Sequence, residues 1–337
     1  MSAKENWDDM IKEFRALGGI AENISLGSGP LGRGLFLLDA KNPAHILVPE
    51  ALLFDADNLD IESGMLCVRD KSKIGAREIK FFEDYQNNFS WGAGGRLECE
   101  ALVNIFDTIP EPITELLSAE FGRAKVFKRS GSDSVLERFS ASRKIRLANG
   151  RAVLMPVLEL VNHDIDGKVF KFGSGVSLKG VFAHEIFARY NVTDPFGAFF
   201  TWGFSNNASH AFSLPLSFSI GSRTLVVKRD LKEKQPSGKV RVPKVKRDGE
   251  KIILSHLMIG NAKNPRLVKG VFYRLMQEMD VSNKEEVFDH IQTSNSRQFV
   301  KLLLSLENFE GPSITALRKM ALLQLEAISH CVGARTP

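Results

Sequence analysis

The chain has 337 residues, 43% of them hydrophobic and 25% charged, with a formal net charge of +5. At about 150 residues per domain this is enough for roughly two domains with cores of their own, which excludes a disordered chain or a small disulfide-stapled scaffold. No apolar run reaches the roughly 18 to 20 residues of a membrane span, and Met1–Trp7 lacks the basic-then-apolar order of a signal peptide. Cys67, Cys99 and Cys331 are too few and too dispersed for a disulfide framework or a Cys-x-x-Cys metal pair, so the expectation is a cytoplasmic protein (nuclear is the eukaryotic variant) with no membrane contact and no metal.

Trp7, Met10, Ile11 and Phe14 recur at helical spacing and meet Gly18-Gly19, which predicts a short amphipathic helix with a glycine stop. From Ile20 to Phe54 the pattern changes to short apolar runs, Leu35 to Leu38 and Ile46 to Val48, separated by Gly, Asn and Pro, and these read as strands and turns. Between about Lys71 and Ala141 the helical period returns. Ile79, Phe82, Tyr85 and Phe89 make one stripe, and Ile113, Leu116 and Leu117 begin another after Pro110 and Pro112. Strands are predicted again at Ala152 to Leu160, Gly180 to Phe182, Phe212 to Ile220 and Leu225 to Val227. Between Arg223 and Lys251 stand eleven Lys or Arg against four acids, leaving the rest of the chain close to neutral. With Pro236, Gly238 and Pro243 inside it, this stretch reads as a solvated hairpin or linker. It contains no aromatic residue on which a base could stack, which disfavours a nucleic-acid partner. From Asn264 onward the chain is helical, with Ser282 and Glu285 spaced as a capping box and Pro312 placed to open a last helix.

Gly27-Ser28-Gly29-Pro30-Leu31-Gly32 fits Gly-x-Gly-x-x-Gly, but it leads into the strand-like Leu35–Leu38, where a dinucleotide site needs a helix. A glycine-rich turn lying against a small ligand remains open. Asn162-His163-Asp164 ends an apolar run, and by itself reads as a turn. Tyr190 stands out because the chain has twenty-four Phe and only three Tyr, which hints that its hydroxyl is used; a core ring with its hydroxyl at the surface is the plainer alternative.

In order and spacing, these segments resemble the SET-domain methyltransferases. Leu31-Gly32-Arg33-Gly34-Leu35-Phe36 is similar to that family's opening Gly-Arg-Gly-Leu-Phe motif. Ser142-Arg143 and Met155-Pro156-Val157-Leu158-Glu159-Leu160-Val161-Asn162-His163 resemble its Ser-Arg and Asn-His segments. Gly180–Tyr190, closing on Trp202-Gly203-Phe204, resembles its Gly-Glu-Glu-Ile-Phe-x-x-Tyr-Gly and Tyr-Gly-Phe sequence. The helical insert, the helical C-terminus and the absence of cysteine-rich flanks resemble the branch of Rubisco large-subunit lysine methyltransferase and actin-histidine methyltransferase. This chain departs from the pattern at Glu159, at Ala183-His184-Glu185, at Asn191 after the tyrosine, and at Trp202.

The resemblance implies an α+β, knotted SET fold with a helical insert and a C-terminal helical domain. Its expected segments are 1–63 (N-terminal helix and first SET part), 64–141 (insert), 142–222 (second SET part), 223–263 (basic connector) and 264–337 (a helical domain recruiting a protein substrate). It implies S-adenosylmethionine as cofactor. Gly32, Arg33, Gly34 and Leu35 would lie along its methionine part, Arg143 would meet its carboxylate, and Asn162 with His163 would hold its amino group and adenine. Tyr190 would be the catalytic tyrosine, and Phe187, Trp202 and Phe204 would wall the substrate channel. The implied activity is protein-lysine N-methylation. The alternatives are a catalytically silent module that binds a protein partner, and a histidine methyltransferase.

Overall fold

Residues 3–123, 132–190, 193–203, 210–231 and 240–331 are described by the structure, a computed structural model. Their contacts divide into two units, Met1–Val103 with Ser130–Asn191 and Asn104–Arg129 with Val192–Pro337. The expected insert 64–141 falls across both.

Helix α1 (Ala3–Ala16) buries Trp7, Ile11 and Phe14 at the predicted spacing. Its glycine stop has a steric reason: Gly18 takes φ +87°, and a Cβ on Gly19 would come within 2.5 Å of the Phe14 ring. Strands β1 (Ile20–Glu22), β2 (Ile24–Gly29), β3 (Gly32–Leu37), β4 (Ala44–Pro49), β5 (Phe54–Asp55), β6 (Leu59–Glu62) and β7 (Met65–Val68) follow. Helix α2 (Ala76–Phe89) buries Ile79, Phe82, Tyr85 and Phe89, the predicted stripe. It ends at a kink over Trp91–Gly95, where Gly94 has φ +108°, before α3 (Arg96–Asp107) resumes. Helix α4 (Glu111–Ala119) lies in the second unit; α5 (Ser132–Arg143), β8 (Ile145–Arg146), β9 (Ala152–Leu154), β10 (Asn162–Lys168), β11 (Lys171–Phe172), β12 (Gly175–Gly180) and β13 (Phe187–Ala188) complete the first.

The first unit is built on small sheets. One runs β1-β4-β12-β11, another β5-β9-β8; β2 with β3 and β6 with β7 form antiparallel pairs, and β10 pairs with β13 in parallel. Two strand expectations need correction here. The run Ala152–Leu160 is a strand only to Leu154: Pro156 has no amide hydrogen to donate, Val157 turns to φ +69°, and Leu158–Leu160 become a 3₁₀ turn. The strand expected at Gly180–Phe182 ends at Gly180, and Val181 is exposed.

The second unit contains α6 (Pro195–Trp202), β14 (His210–Phe212), β15 (Leu216–Ile220), β16 (Arg223–Val227), β17 (Val245–Asp248), β18 (Lys251–Leu254), β19 (Met258–Asn261), α7 (Pro265–Glu278), α8 (Lys284–Ser305) and α9 (Pro312–Ser329). Pro215 lies between β14 and β15, so the single strand expected over Phe212–Ile220 is two. The basic stretch supplies β16, β17 and β18 of a β15-β16-β18-β17 sheet, with β17 and β18 forming a hairpin. Part of its charge is paired inside the unit. Arg229 binds both oxygens of buried Asp194 at 2.6 and 2.7 Å, and Arg241, 4% exposed, donates to the Leu231 carbonyl at 2.7 Å. Pro312 opens α9 as predicted, but the Ser282/Glu285 box does not form: Asn283 stands at the N-cap position of α8, without a side-chain capping bond. The aromatic core of this unit is Phe106, Phe121, Phe196, Phe199, Phe200 and Phe299, with ring centroids 5.1 to 5.5 Å apart.

Candidate active site

The site begins with a hairpin. β2 and β3 pair from Ile24↔Leu37 to Gly29↔Gly32, and Gly32 takes φ +88° with open space where a side chain would stand. Leu35, fully buried, anchors β3 in the core. Beyond the turn, Gly34 allows a close approach, since a Cβ there would fall 2.6 Å from Asn162 Nδ2 and 2.8 Å from Glu185 Oε1. Asn162 Nδ2 donates to the Arg33 carbonyl at 3.2 Å and to Glu185 Oε1 at 2.6 Å. The main chain adds Leu37 N–H to His184 O and Ile186 N–H to Leu35 O, both 2.8 Å. Residues around 34, 162 and 185 are thereby fixed to one another.

The parallel pairing of β10 with β13 sets Asn162 beside Phe187 and His163 beside Ala188, which carries Tyr190 to the same place. His163 Nδ1 lies 3.2 Å from the Tyr190 amide nitrogen and 3.3 Å from the Ala188 carbonyl oxygen, so the main chain of β13 and the residues after it hold the ring. Burial pushes the His163 pKa below its ordinary value. The rings of His163 and Phe170 lie 5.2 and 6.3 Å from that of Tyr190. The Tyr190 hydroxyl donates to the Val161 carbonyl. Burial raises its pKa; the carboxyls of Glu159 and Glu185 push the same way, and Arg143 opposes them.

Two arginines face this region. Arg143, at the end of α5, stacks 4.2 Å over the Phe139 ring, donates to Ser142 Oγ at 2.8 Å and lies 3.6 Å from the exposed Glu98 carboxylate. Arg33 reaches the Ser90 carbonyl at 3.5 Å, while its Nε is buried without a partner. Burial lowers the Arg33 pKa, and the nearby charge of Arg143 lowers it further. Between them and α2 lies Glu159, whose Oε1 accepts from Gln86 Nε2 at 2.9 Å.

The first unit therefore brings together Gly32, Arg33, Gly34, Leu35, Arg143, Asn162, His163, Phe187 and Tyr190. Trp202 is half-buried at the end of α6 in the second unit, and Phe204 lies outside the described residues. The α2 residues Tyr85 and Gln86 belong to this neighbourhood although no motif singled them out, and so does Glu185, which lies within the Gly180–Tyr190 motif but was given no role in the site. Helical periodicity could place the Tyr85 ring in the core, but it could not show that its hydroxyl faces a carboxyl. Among the described residues no group of three or more His, Cys, Asp or Glu could hold a metal ion, and no helix is long and apolar enough to cross a membrane.

No protein-family profile matches the sequence, and no curated protein does. Among solved structures, the chain is similar to the SET domain of LSMT crystallised with lysine and AdoHcy. The two are 11% identical at a TM-score of 0.43, over 99% of this chain and 91% of that one.

Proposed function

We propose that the chain is an S-adenosylmethionine-dependent protein methyltransferase that uses a SET-type site to methylate lysine. One observation carries the reading: Arg33, Asn162 and Glu185, from three separate segments, are joined by hydrogen bonds of 3.2 and 2.6 Å in a space that a side chain on Gly34 would fill, with Tyr190 and Arg143 beside them. These are the segments that the sequence resemblance links to one cofactor. The residues fit such a group in two respects: a buried arginine Nε has no partner, and side-chain bulk is missing along β3 at Gly32 and Gly34.

When bound, S-adenosylmethionine supplies a methyl group activated on a sulfonium sulfur. Arg143 would hold its carboxylate, and the main chain of Gly32, Arg33, Gly34 and Leu35 its methionine part. Asn162 has both amide hydrogens engaged by Arg33 and Glu185, so its Oδ1 remains to accept from an ammonium, with His163 beside the adenine.

Tyr190 has the defining chemical task. Its single hydroxyl hydrogen is given to the Val161 carbonyl, so its oxygen presents lone pairs to an incoming amine N–H. Because burial keeps the phenol protonated, it orients the amine and does not serve as a base. Positioning and exclusion of water are then the main contributions of the chain. Phe187 is offered as a wall of the lysine channel. The exposed Leu267, Val300, Leu304 and Leu322 on α7, α8 and α9 support recruitment of a protein substrate by the C-terminal helices.

The test is transfer of tritiated methyl from S-adenosylmethionine into lysate proteins, with the labelled residue identified by mass spectrometry. Labelled lysine is expected. Label on histidine would change the target, and an unlabelled lysate together with no calorimetric binding of S-adenosylhomocysteine would overturn the reading.

A further inference from the structure

We infer that Glu185 is a positioning residue: its carboxyl fixes which end of the Asn162 carboxamide faces a ligand, and so selects the ligand group that this amide can hold. The identity of the ligand rests on the methyltransferase reading, whereas the geometry stands without it.

The backbone at Glu185 is set by β3. Phe36 and Glu185 form an antiparallel bridge, flanked by Leu37 N–H to His184 O and Ile186 N–H to Leu35 O, both 2.8 Å. The side chain enters a slot in the β2–β3 hairpin and is 8% exposed. Glycines make the slot: a Cβ on Gly29 would stand 3.2 Å from Glu185 Oε2, and one on Gly34 would stand 2.8 Å from Oε1. The glycine-rich turn, which does not suit a dinucleotide, thus has a local use in housing a carboxyl.

The partner of that carboxyl is Asn162. Oε1 accepts from Asn162 Nδ2 at 2.6 Å, a short bond of the kind a charged acceptor makes, and the Arg33 carbonyl accepts from the same nitrogen at 3.2 Å. Two oxygens on one side of a carboxamide decide which end stands there, because turning the amide over would set oxygen against oxygen at both contacts. Oδ1 is left facing away, and no described residue donates a hydrogen bond to it. An end that only accepts selects a donor, which on S-adenosylmethionine is the ammonium and not the carboxylate. Without the Glu185 oxygen the longer bond to Arg33 alone would orient the amide, and its nitrogen could turn toward the ligand ammonium.

Two substitutions separate the hydrogen bond from the charge. Glu185→Gln keeps an acceptor oxygen at the same reach without the charge, and Glu185→Asp keeps the charge but withdraws it by one methylene. The probes are S-adenosylhomocysteine and 5′-methylthioadenosine, which lacks the amino-acid end, both titrated by calorimetry into the full chain. Glu185→Asp should weaken S-adenosylhomocysteine about 10- to 100-fold, the scale of one hydrogen bond to a charged group, and leave methylthioadenosine within about threefold. Glu185→Gln should hold S-adenosylhomocysteine within about threefold of wild type. Added to Asn162→Ala, Glu185→Asp should cost no more than about a further threefold, since its effect passes through the missing amide. A merely structural role would weaken both ligands alike, and a direct attraction between the charge and the ligand would make Glu185→Gln the worse variant. Either result overturns the inference.

Nitrogen-15 NMR of the wild-type chain decides the geometry if Glu185→Asp does not fold. The two Nδ2 protons of Asn162, identified by their absence in Asn162→Ala, should be protected from exchange with water, and unprotected protons would overturn the inference. If wild type binds neither ligand, the cofactor reading falls by itself, while the same protons still show whether Glu185 holds the amide.

Discussion

The hydroxyl of Tyr190 meets the Val161 carbonyl one residue before Asn162, so a single oxygen joins the aromatic end of the site to its asparagine. Tyr190→Phe removes that oxygen and keeps the ring packed against Phe170 and His163. Methyl transfer should fall about 10² to 10³-fold, on the order of 3 to 4 kcal/mol, with cofactor affinity unchanged. Single-turnover methylation at saturating cofactor checks this, and a loss of only a few-fold would remove Tyr190 from the chemistry. Arg143→Ala should instead weaken S-adenosylhomocysteine by about 1.5 to 3 kcal/mol, the scale of a hydrogen bond to a charged group, read by calorimetry. Glu159→Gln addresses stability. The folded carboxyl titrates above its unfolded value, so its stabilisation is complete below that value and is lost as pH rises through the folded one. The variant should therefore be at least as stable as wild type at pH 7 in denaturant unfolding, and a clear loss there would mean that the ionised carboxyl is a structural anchor. At this scale the sequence was informative where a residue type is rare or a spacing is fixed, as with Tyr190 and Asn162-His163. It placed Glu185 in a motif but could not show its contact with Asn162, which depends on the space left by Gly34 in another segment.

Local chemistry explains which elements were legible. The spacing of Trp7, Ile11 and Phe14 identifies α1, and Pro312 opens α9, because both signals act within a few residues. The strand expected over Ala152–Leu160 failed because Pro156 and the positive φ of Val157 outweigh a continuous apolar run, and that same bend delivers Glu159 toward α2. The capping box failed since Asn283 took the cap position one residue later. For α6 the signal lay at long range. Its cap, Asp194, is completely buried and accepts from Gly197 N–H at 2.6 Å, from Arg229, from Phe212 N–H at 3.2 Å and from Gln324 at 3.1 Å. Burial alone would raise its pKa, but Arg229 and these donors bring it below the usual carboxylate value. Asp194→Ala removes the cap and leaves Arg229 as a buried, unpaired charge, so it should destabilise the fold by about 3 to 5 kcal/mol. Urea unfolding monitored by circular dichroism measures it, and a loss below about 1 kcal/mol would show that the network contributes little.

Across the whole molecule, the chain passes between its two units near residues 103, 129 and 191, so neither unit is one continuous stretch and no single cut separates them. That division was hidden from the sequence, whose helical period runs on through Lys71–Ala141 while the tertiary contacts change partner inside it. It also decides what a truncation can report. Ending the chain near Pro243 would remove β18 from beside β16 and leave the second unit's sheet incomplete, so lost activity there would say nothing of substrate recruitment. A sharper division keeps 1–107, which leaves α3 whole, joins it through a flexible Gly/Ser linker to 130–191, and omits the rest. Every residue proposed to hold the cofactor, with Tyr190, lies in that chain, and so does a single buried core running from Trp7 to Ala188. It should fold cooperatively and bind S-adenosylhomocysteine within about tenfold of the full protein, since the second unit supplies none of those groups. It should transfer no methyl group to protein substrate, because α7, α8 and α9 are gone. Calorimetry on the folded chain tests the first statement and tritium transfer the second: a folded chain that cannot bind would move part of the cofactor site into the second unit, and one that still methylates protein would take recruitment away from the C-terminal helices.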